Sequence, residues 1–363
     1  MSQGLDDVIA AETRLSSVDG AHGILVVKGF SLDQVAGQKS FEDVAWLLFG
    51  GLFDDLPDAP AFAARLGHAR SEMFGLVPYI DDGILALPPM DGVRAIMARI
   101  ADGEDLATAT RLLAAPAVLL PAFLRLRNGQ APLAPDPRRG HAADMLHMLD
   151  EQVASPETAS ALDTYLVTVA DHGLNASTFA ARVVASTWSG LTSSVLAGLA
   201  ALKGPLHGGA PGPIIAMLDG IGTPENAEAW IEDALARGDR LMGFGHRIYK
   251  VRDPRADALK AAVRRMAKGS NLLPGRLKLA EAVEQAALEI LHRHKPDRPL
   301  DVNVEFYTAL LLEALGFPPD AFTAVFATGR TTGWLAHARE QRLTGRLIRP
   351  QSSYVGPEPA KAA

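Results

Sequence analysis

The chain has 363 residues and a formal net charge of −7, an acidic balance that argues against the basic face a nucleic-acid partner requires. It contains no cysteine, which removes disulfides, iron–sulfur clusters, cysteine zinc sites and a thiol nucleophile. A length beyond one typical core predicts two domains, and 48% hydrophobic residues with only 6% aromatic predict closely packed helices, an all-α fold.

In chain order, residues 1–7 carry acid early and lack a basic-then-apolar pattern, so no secretory or transit signal is expected and the cytoplasm is the default location. Residues 23–29 form a short β-branched run between glycines, the one plausible strand near the front. Ser40 with Asp43 three residues on reads as a helix N-cap, and Phe41, Val44, Ala45, Leu47 and Leu48 follow at helical spacing. After the turn at 87–90, Val93, Ile96, Met97 and Ile100 make another stripe. The most apolar run, 112–124, is broken by Pro116 and Pro121 and bounded by Arg111 and Arg125. It reads as a buried helix or two, too short to cross a bilayer. The proline-rich stretch 131–137 is a stiff connection, and Ser155-Pro156-Glu157 is an N-cap with proline at the first helical position.

Residues 171–178, Asp-His-Gly-Leu-Asn-Ala-Ser-Thr, are a dense polar cluster in a segment that otherwise reads as core. Such groups need partners, so the cluster either caps a helix or lines a wet pocket. An alanine-rich, glycine-dotted helix over 189–202 ends at Gly204. Two glycine-flanked histidines follow, in Gly204-Pro205-Leu206-His207-Gly208-Gly209-Ala210 and in Gly243-Phe244-Gly245-His246-Arg247-Ile248-Tyr249-Lys250. Either loop alone could be an ordinary connection. Together, with Lys250, Arg252 and Arg255 after the second, they point to an anion-binding active site whose imidazoles handle protons. Asp253-Pro254 is an N-cap and N1 pair that puts Arg255 in a first turn, beside free amides suited to an anion.

Dinucleotide and P-loop fingerprints are absent. His292 and His294, two apart on a helix, do not share a face, so no metal site is expected. Asn303 reads as the N-cap of a helix with Glu305 in its first turn, where the helix dipole favours an ionised carboxylate; Glu305 serves either as a base or merely as a good helix start. The apolar stretch 322–340 reads as a helix interrupted at 328–333, and Arg330 within it needs an anionic partner or an exit to solvent. Arg346 and Arg349 sit in a polar tail.

The motifs at 204–210 and 243–255, followed by Asn303-Val304-Glu305-Phe306-Tyr307 with 308–312, resemble the citrate synthase family, and the similarity runs from about residue 20 to residue 357. The resemblance implies a mostly helical two-domain fold: a large domain in two parts, 1–208 and 309–363, around a small domain, 209–308. It implies condensation of acetyl-CoA with oxaloacetate. Glu305 would be the base, His207 the neutral imidazole bonded to the thioester carbonyl, and His246 the group polarising and protonating the ketone. His172, Arg255 and Arg330 would hold oxaloacetate, with Arg349 reaching in from the other subunit of a homodimer. The stretch from Leu241 through Gly243 to Gly245 would lie near the adenine of CoA, and Lys250 near its phosphate. No permanent cofactor, metal or membrane partner is implied.

Two positions depart from the family pattern. Gly173 stands where an acid is often seen, and Glu305 stands where most members carry aspartate. One added methylene moves the carboxylate by roughly an ångström; other sequences of this kind carry glutamate too, so adaptation is expected, with Asp301 a less favoured substitute base. The alternatives are a 2-methylcitrate synthase using propionyl-CoA and a non-catalytic relative that binds CoA or a partner protein.

Overall fold

The computed structural model describes residues 8–152, 154–208, 212–246, 248–249, 251–268, 274–294 and 300–357. It is mostly helical, as the composition predicts. A small antiparallel sheet opens the chain, with β1 (Ser16–Asp19), β2 (Ile24–Val27) and β3 (Phe30–Ser31) in the order β1-β2-β3 and Ser16 opposite Val27. The predicted strand at 23–29 is therefore the middle one of three. The helices follow: α1 (Leu32–Val35), α2 (Phe41–Phe49), α3 (Ala59–Phe74), α4 (Asp82–Leu85), α5 (Pro89–Met97), α6 (Leu106–Arg127), α7 (His141–Leu149) and α8 (Pro156–Val169). After these come α9 (Ala176–Ser186), α10 (Leu191–Leu202), α11 (Gly212–Ile221), α12 (Ala227–Ala236), α13 (Pro254–Lys268), α14 (Pro274–His294), α15 (Val304–Ala314) and α16 (Phe322–Thr344).

The caps read from the sequence form as the chemistry requires. Ser40 and Asp43 make a reciprocal capping box on α2, Ser155 caps α8, and Asn175 caps α9 through the Thr178 N–H at 3.1 Å. One expectation is narrowed, a buried helix or two becoming one, and another needs correction. Pro116 and Pro121 lie inside one continuous helix, α6, because α3, α5, α7, α10 and α16 pack around it, and that packing outweighs the local cost of a proline ring in a helix. Although α6 is long and apolar enough to span a bilayer, 89% of its most apolar window is buried inside the protein. The break expected at 328–333 is likewise absent, and α16 runs unbroken past it.

Small residues in α16 let it lie close against the end of α8. A Cβ on Gly333 would stand 2.4 Å from the Ala170 carbonyl oxygen, and the Gly333 N–H donates to that oxygen at 3.0 Å. This contact brings Arg330 to the 169–172 turn. From the other side α13 packs against both α8 and α15, so the three helices that carry candidate residues, α13, α15 and α16, all pack on α8.

Candidate active site

His172 follows α8 and is 5% exposed, with its Nε2 3.0 Å from the Tyr249 hydroxyl. Burial first, then the charges of Arg255 and Arg330 and the nearby His246 and His207, hold it well below the ordinary histidine range, so it is neutral. The His172 and His246 rings lie 6.0 Å apart, centroid to centroid, and both meet the Tyr249 ring. The 171–178 cluster both caps and lines: Asn175 caps α9, and Ser177 faces the site.

His207 sits in the turn after α10, its N–H donating to the Gly204 carbonyl at 2.9 Å. Its Nε2 is 2.8 Å from the Ser177 hydroxyl, which also takes the Trp334 indole N–H at 3.1 Å and lies 2.8 Å from the Asn175 side-chain oxygen. Ser177 has one proton to give. It donates that proton to the Asn175 side-chain oxygen, so the His207 Nε2–H donates to Ser177; only a turn of the hydroxyl toward Nε2 would move the ring's N–H to Nδ1. Burial, with the Arg330 charge, pushes His207 down to about 4, so it is neutral at any ordinary pH.

His246 and Glu305 are joined through backbone. Phe244 and Val302 form an isolated antiparallel bridge; the Gly245 N–H donates to the Asp301 carbonyl at 2.7 Å, and the Asn303 N–H to the Gly243 carbonyl at 2.9 Å. Asn303 also donates its side-chain N–H to the Gly245 carbonyl at 2.8 Å, while its side-chain oxygen caps the Glu305 N–H at 3.0 Å. Gly243 and Gly245 sit at φ +86° and +82°, the left-handed region that glycine enters without penalty, so this pairing is their clearest role. The His246 Nδ1 accepts the Ile248 and Tyr249 N–H groups at 3.0 and 3.1 Å, which fixes the ring proton on Nε2. That atom lies 3.1 Å from Arg255 Nη2, which can only donate, so two N–H groups oppose each other there and an acceptor oxygen between them would take both.

Arg255 is 4% exposed and pairs bidentately with Asp253 at 3.0 and 2.8 Å. Although burial opposes its charge, Asp253 holds its guanidinium above the ordinary value. The same carboxylate accepts the Val304 N–H at 3.2 Å, tying the start of α13 to the start of α15. Arg330 is 1% exposed, donates to the Val169 carbonyl at 2.6 Å and lies over the Phe326 ring. Burial pulls it down to about 10, opposed by Asp171, and it remains cationic.

Glu305 is half-buried. Burial raises its carboxyl to about 7 against the pull of Arg255 and Arg330, with Asp253 adding to the rise. A carboxylate poised there is strong enough to take a proton from a weak carbon acid yet still half ionised at neutral pH. Asp301 is bonded to Arg252 at 3.1 Å and to the Val302 N–H at 2.7 Å, so it braces the loop. Leu241 is buried, Arg349 is exposed on the tail, and Lys250 lies outside the described residues. Sequence reasoning passed over Tyr249 and gave Asp253 only a capping role; Ser177 belonged to the polar cluster at 171–178, read as either a cap or a pocket lining.

Comparison with known proteins follows this geometry. The family model for the citrate synthase C-terminal domain matches residues 4–351. A citrate synthase of Haloferax volcanii is 35% identical, covering 98% of this chain and 96% of its own length, and citrate synthase 2 of Bacillus subtilis is 34% identical, covering 99% and 97%. Among solved structures, the Pyrobaculum aerophilum citrate synthase superposes with a TM-score of 0.86 at 32% identity over 99% of this chain and 93% of that one. The Thermoplasma acidophilum enzyme, solved as a ternary complex with carboxymethyl coenzyme A and oxaloacetate, gives 0.84 at 30% identity over 100% and 98%. The fold defines a mostly helical protein of the citrate synthase architecture. The chain belongs to the citrate synthase family.

Proposed function

We propose that this site condenses acetyl-CoA with oxaloacetate and hydrolyses the resulting thioester to citrate and CoA. The observation that carries the reading is the gathering of two neutral imidazoles, one carboxyl raised to about 7 and two buried guanidinium groups around a single point. Ionised Glu305 takes a proton from the methyl carbon of acetyl-CoA. The electron pair moves toward the thioester oxygen, where a neutral His207 donates a hydrogen bond. The enolate carbon then attacks the ketone of oxaloacetate, whose oxygen receives the His246 Nε2 proton as the carbon–carbon bond forms. His172, Arg255 and Arg330 hold the two carboxylates, arginine being suited to them by its planar fork. Water finally cleaves the citryl thioester and releases CoA.

The stretch from Leu241 to Gly245 and Lys250 supply the coenzyme side of the cleft, and two copies of the chain form the working unit, with Arg349 completing the site of its neighbour. The division into residues 1–208 with 309–363 and residues 209–308 supports closure over bound substrate, which keeps the thioester from premature hydrolysis.

Free-thiol release from acetyl-CoA tests the reading. It is expected only when oxaloacetate is added and is abolished in Glu305→Ala. Release independent of oxaloacetate, or undiminished by that substitution, would overturn it.

A further inference from the structure

The N-terminal sheet takes no part in the chemistry above, yet its first strand crosses both oxaloacetate histidines. Side chains alternate along a strand, so Ser16, Val18 and the residue just beyond β1, Gly20, share one face. Ser16 donates its hydroxyl proton to the Asp171 carboxylate and accepts the Gly173 N–H at 3.0 Å, bonding the chain on either side of His172. Asp171 is fixed in turn by His337 at 3.2 Å. The Val18 side chain lies over Gly173.

At the third position there is no side chain, and none would fit: a Cβ on Gly20 would stand 2.3 Å from the carbonyl oxygen of Ile248. Gly20 is outside the left-handed region, so close approach alone requires glycine there. At the far end of the same turn, Gly23 lies against the Val251 side chain and the Arg252 carbonyl. The peptide group beneath Gly20 is the one whose other end, the Tyr249 N–H, donates to His246 Nδ1 at 3.1 Å. The hydroxyl of that same Tyr249 meets His172 Nε2. One strand face therefore touches the backbone that orients each of the two histidines.

We propose that the β1–β2 hairpin is a strap that sets His172 and His246 relative to each other, with Ser16 and Gly20 as positioning residues for the oxaloacetate ketone. This deepens the citrate-forming reading and rests on it for the choice of substrate. In Gly20→Ala either the hairpin or the 248–249 peptide must move by about an ångström, and misplacement of that size costs on the order of a hundredfold at a reacting group.

The test varies each substrate in the thiol-release assay. Gly20→Ala is expected to lower kcat/KM for oxaloacetate by roughly tenfold to a hundredfold while KM for acetyl-CoA stays unchanged. Ser16→Ala should do likewise, Ser16→Thr should recover most of the loss by restoring the hydroxyl, and Ala21→Gly at the exposed turn should leave the kinetics alone. Amide exchange of residues 248–252 should quicken in Gly20→Ala and Ser16→Ala. Wild-type kinetics for oxaloacetate in both variants, or a rise in KM for acetyl-CoA as large as the loss toward oxaloacetate, would overturn the strap. If Gly20→Ala does not fold, the Ser16→Ala and Ser16→Thr pair decides. If the wild-type protein releases no thiol, the citrate-forming reading fails by itself; the strap is then judged by amide exchange, and unchanged exchange at 248–252 would overturn it.

Discussion

Replacing Glu305 by glutamine removes the proposed base and, in the same step, a carboxylate that the fold holds at a cost. Its carboxyl rises from 4.5 to about 7, mainly through burial, and each pKa unit corresponds to about 1.4 kcal/mol. The folded state binds this proton more tightly than the unfolded chain does. The side chain therefore contributes most favourably below about 4.5, and that contribution is lost progressively as pH rises to about 7. Above that, the full penalty is about 3 kcal/mol, an upper bound because solvent reaches part of the side chain. For a chain of 363 residues an unfolding entropy of about 2 cal/mol/K per residue converts this to roughly 4 °C. Thermal unfolding of ligand-free wild type and Glu305→Gln at pH 4.5 and pH 8 is the assay. The variant should be inactive yet melt several degrees higher than wild type at pH 8, with the gap closing at pH 4.5. A gap that is the same at both pH values, or a less stable variant at pH 8, would refute the placement of a strained carboxylate in this cleft.

The rate should follow the same group: kcat falls about tenfold per pH unit below about 7 as Glu305 takes up its proton, and a profile flat from pH 5 to 8 would move the base elsewhere. Mixing inactive Arg349→Ala with inactive Glu305→Gln after dissociation and reassembly should restore about a quarter of wild-type activity, because one site of each mixed dimer is then intact; no recovery would mean that Arg349 does not act across an interface. Propionyl-CoA should be used about tenfold to two-hundredfold less efficiently than acetyl-CoA, the worth of one methylene in a fitted pocket, as measured by the ratio of kcat/KM values.

Caps, stripes and glycine turns were legible in the sequence because they depend on residues three or four apart. Ser40 with Asp43 and Asn175 with Thr178 bond as that spacing dictates, and Asn303 bonds Glu305 only two residues on. The unbroken α6 and α16 were not legible, since what holds them helical is packing from distant segments. The site divides in the same way. His207, His246 and Glu305 stand out locally, whereas several groups that hold them come from afar in the chain: Ser177 lies thirty residues before His207, and Asp253 meets the start of α15 fifty-one residues later. Gly20 illustrates the limit, because its neighbour Ile248 is visible only once the chain is folded.

The same long-range bonds decide how the extra methylene of Glu305 is used. If α15 could slide, a shorter acid would be carried into place by the helix, and glutamate against aspartate would matter little. The start of α15 is held by the Asn303 N–H on Gly243 at 2.9 Å, the Asn303 side chain on Gly245 at 2.8 Å and the Val304 N–H on Asp253 at 3.2 Å. Asp253 is itself locked to buried Arg255. Moving the helix toward the substrate would strain all three bonds and disturb the guanidinium, so the reach of the base is set by side-chain length. Glu305→Asp should therefore withdraw the carboxylate by about an ångström and lower kcat on the order of a hundredfold. Oxaloacetate binding, measured by calorimetry, should not change, because Arg255, Arg330 and His172 stay in place. An aspartate variant as fast as wild type would mean that α15 moves during the reaction, and that the three bonds at its start break in the closed state.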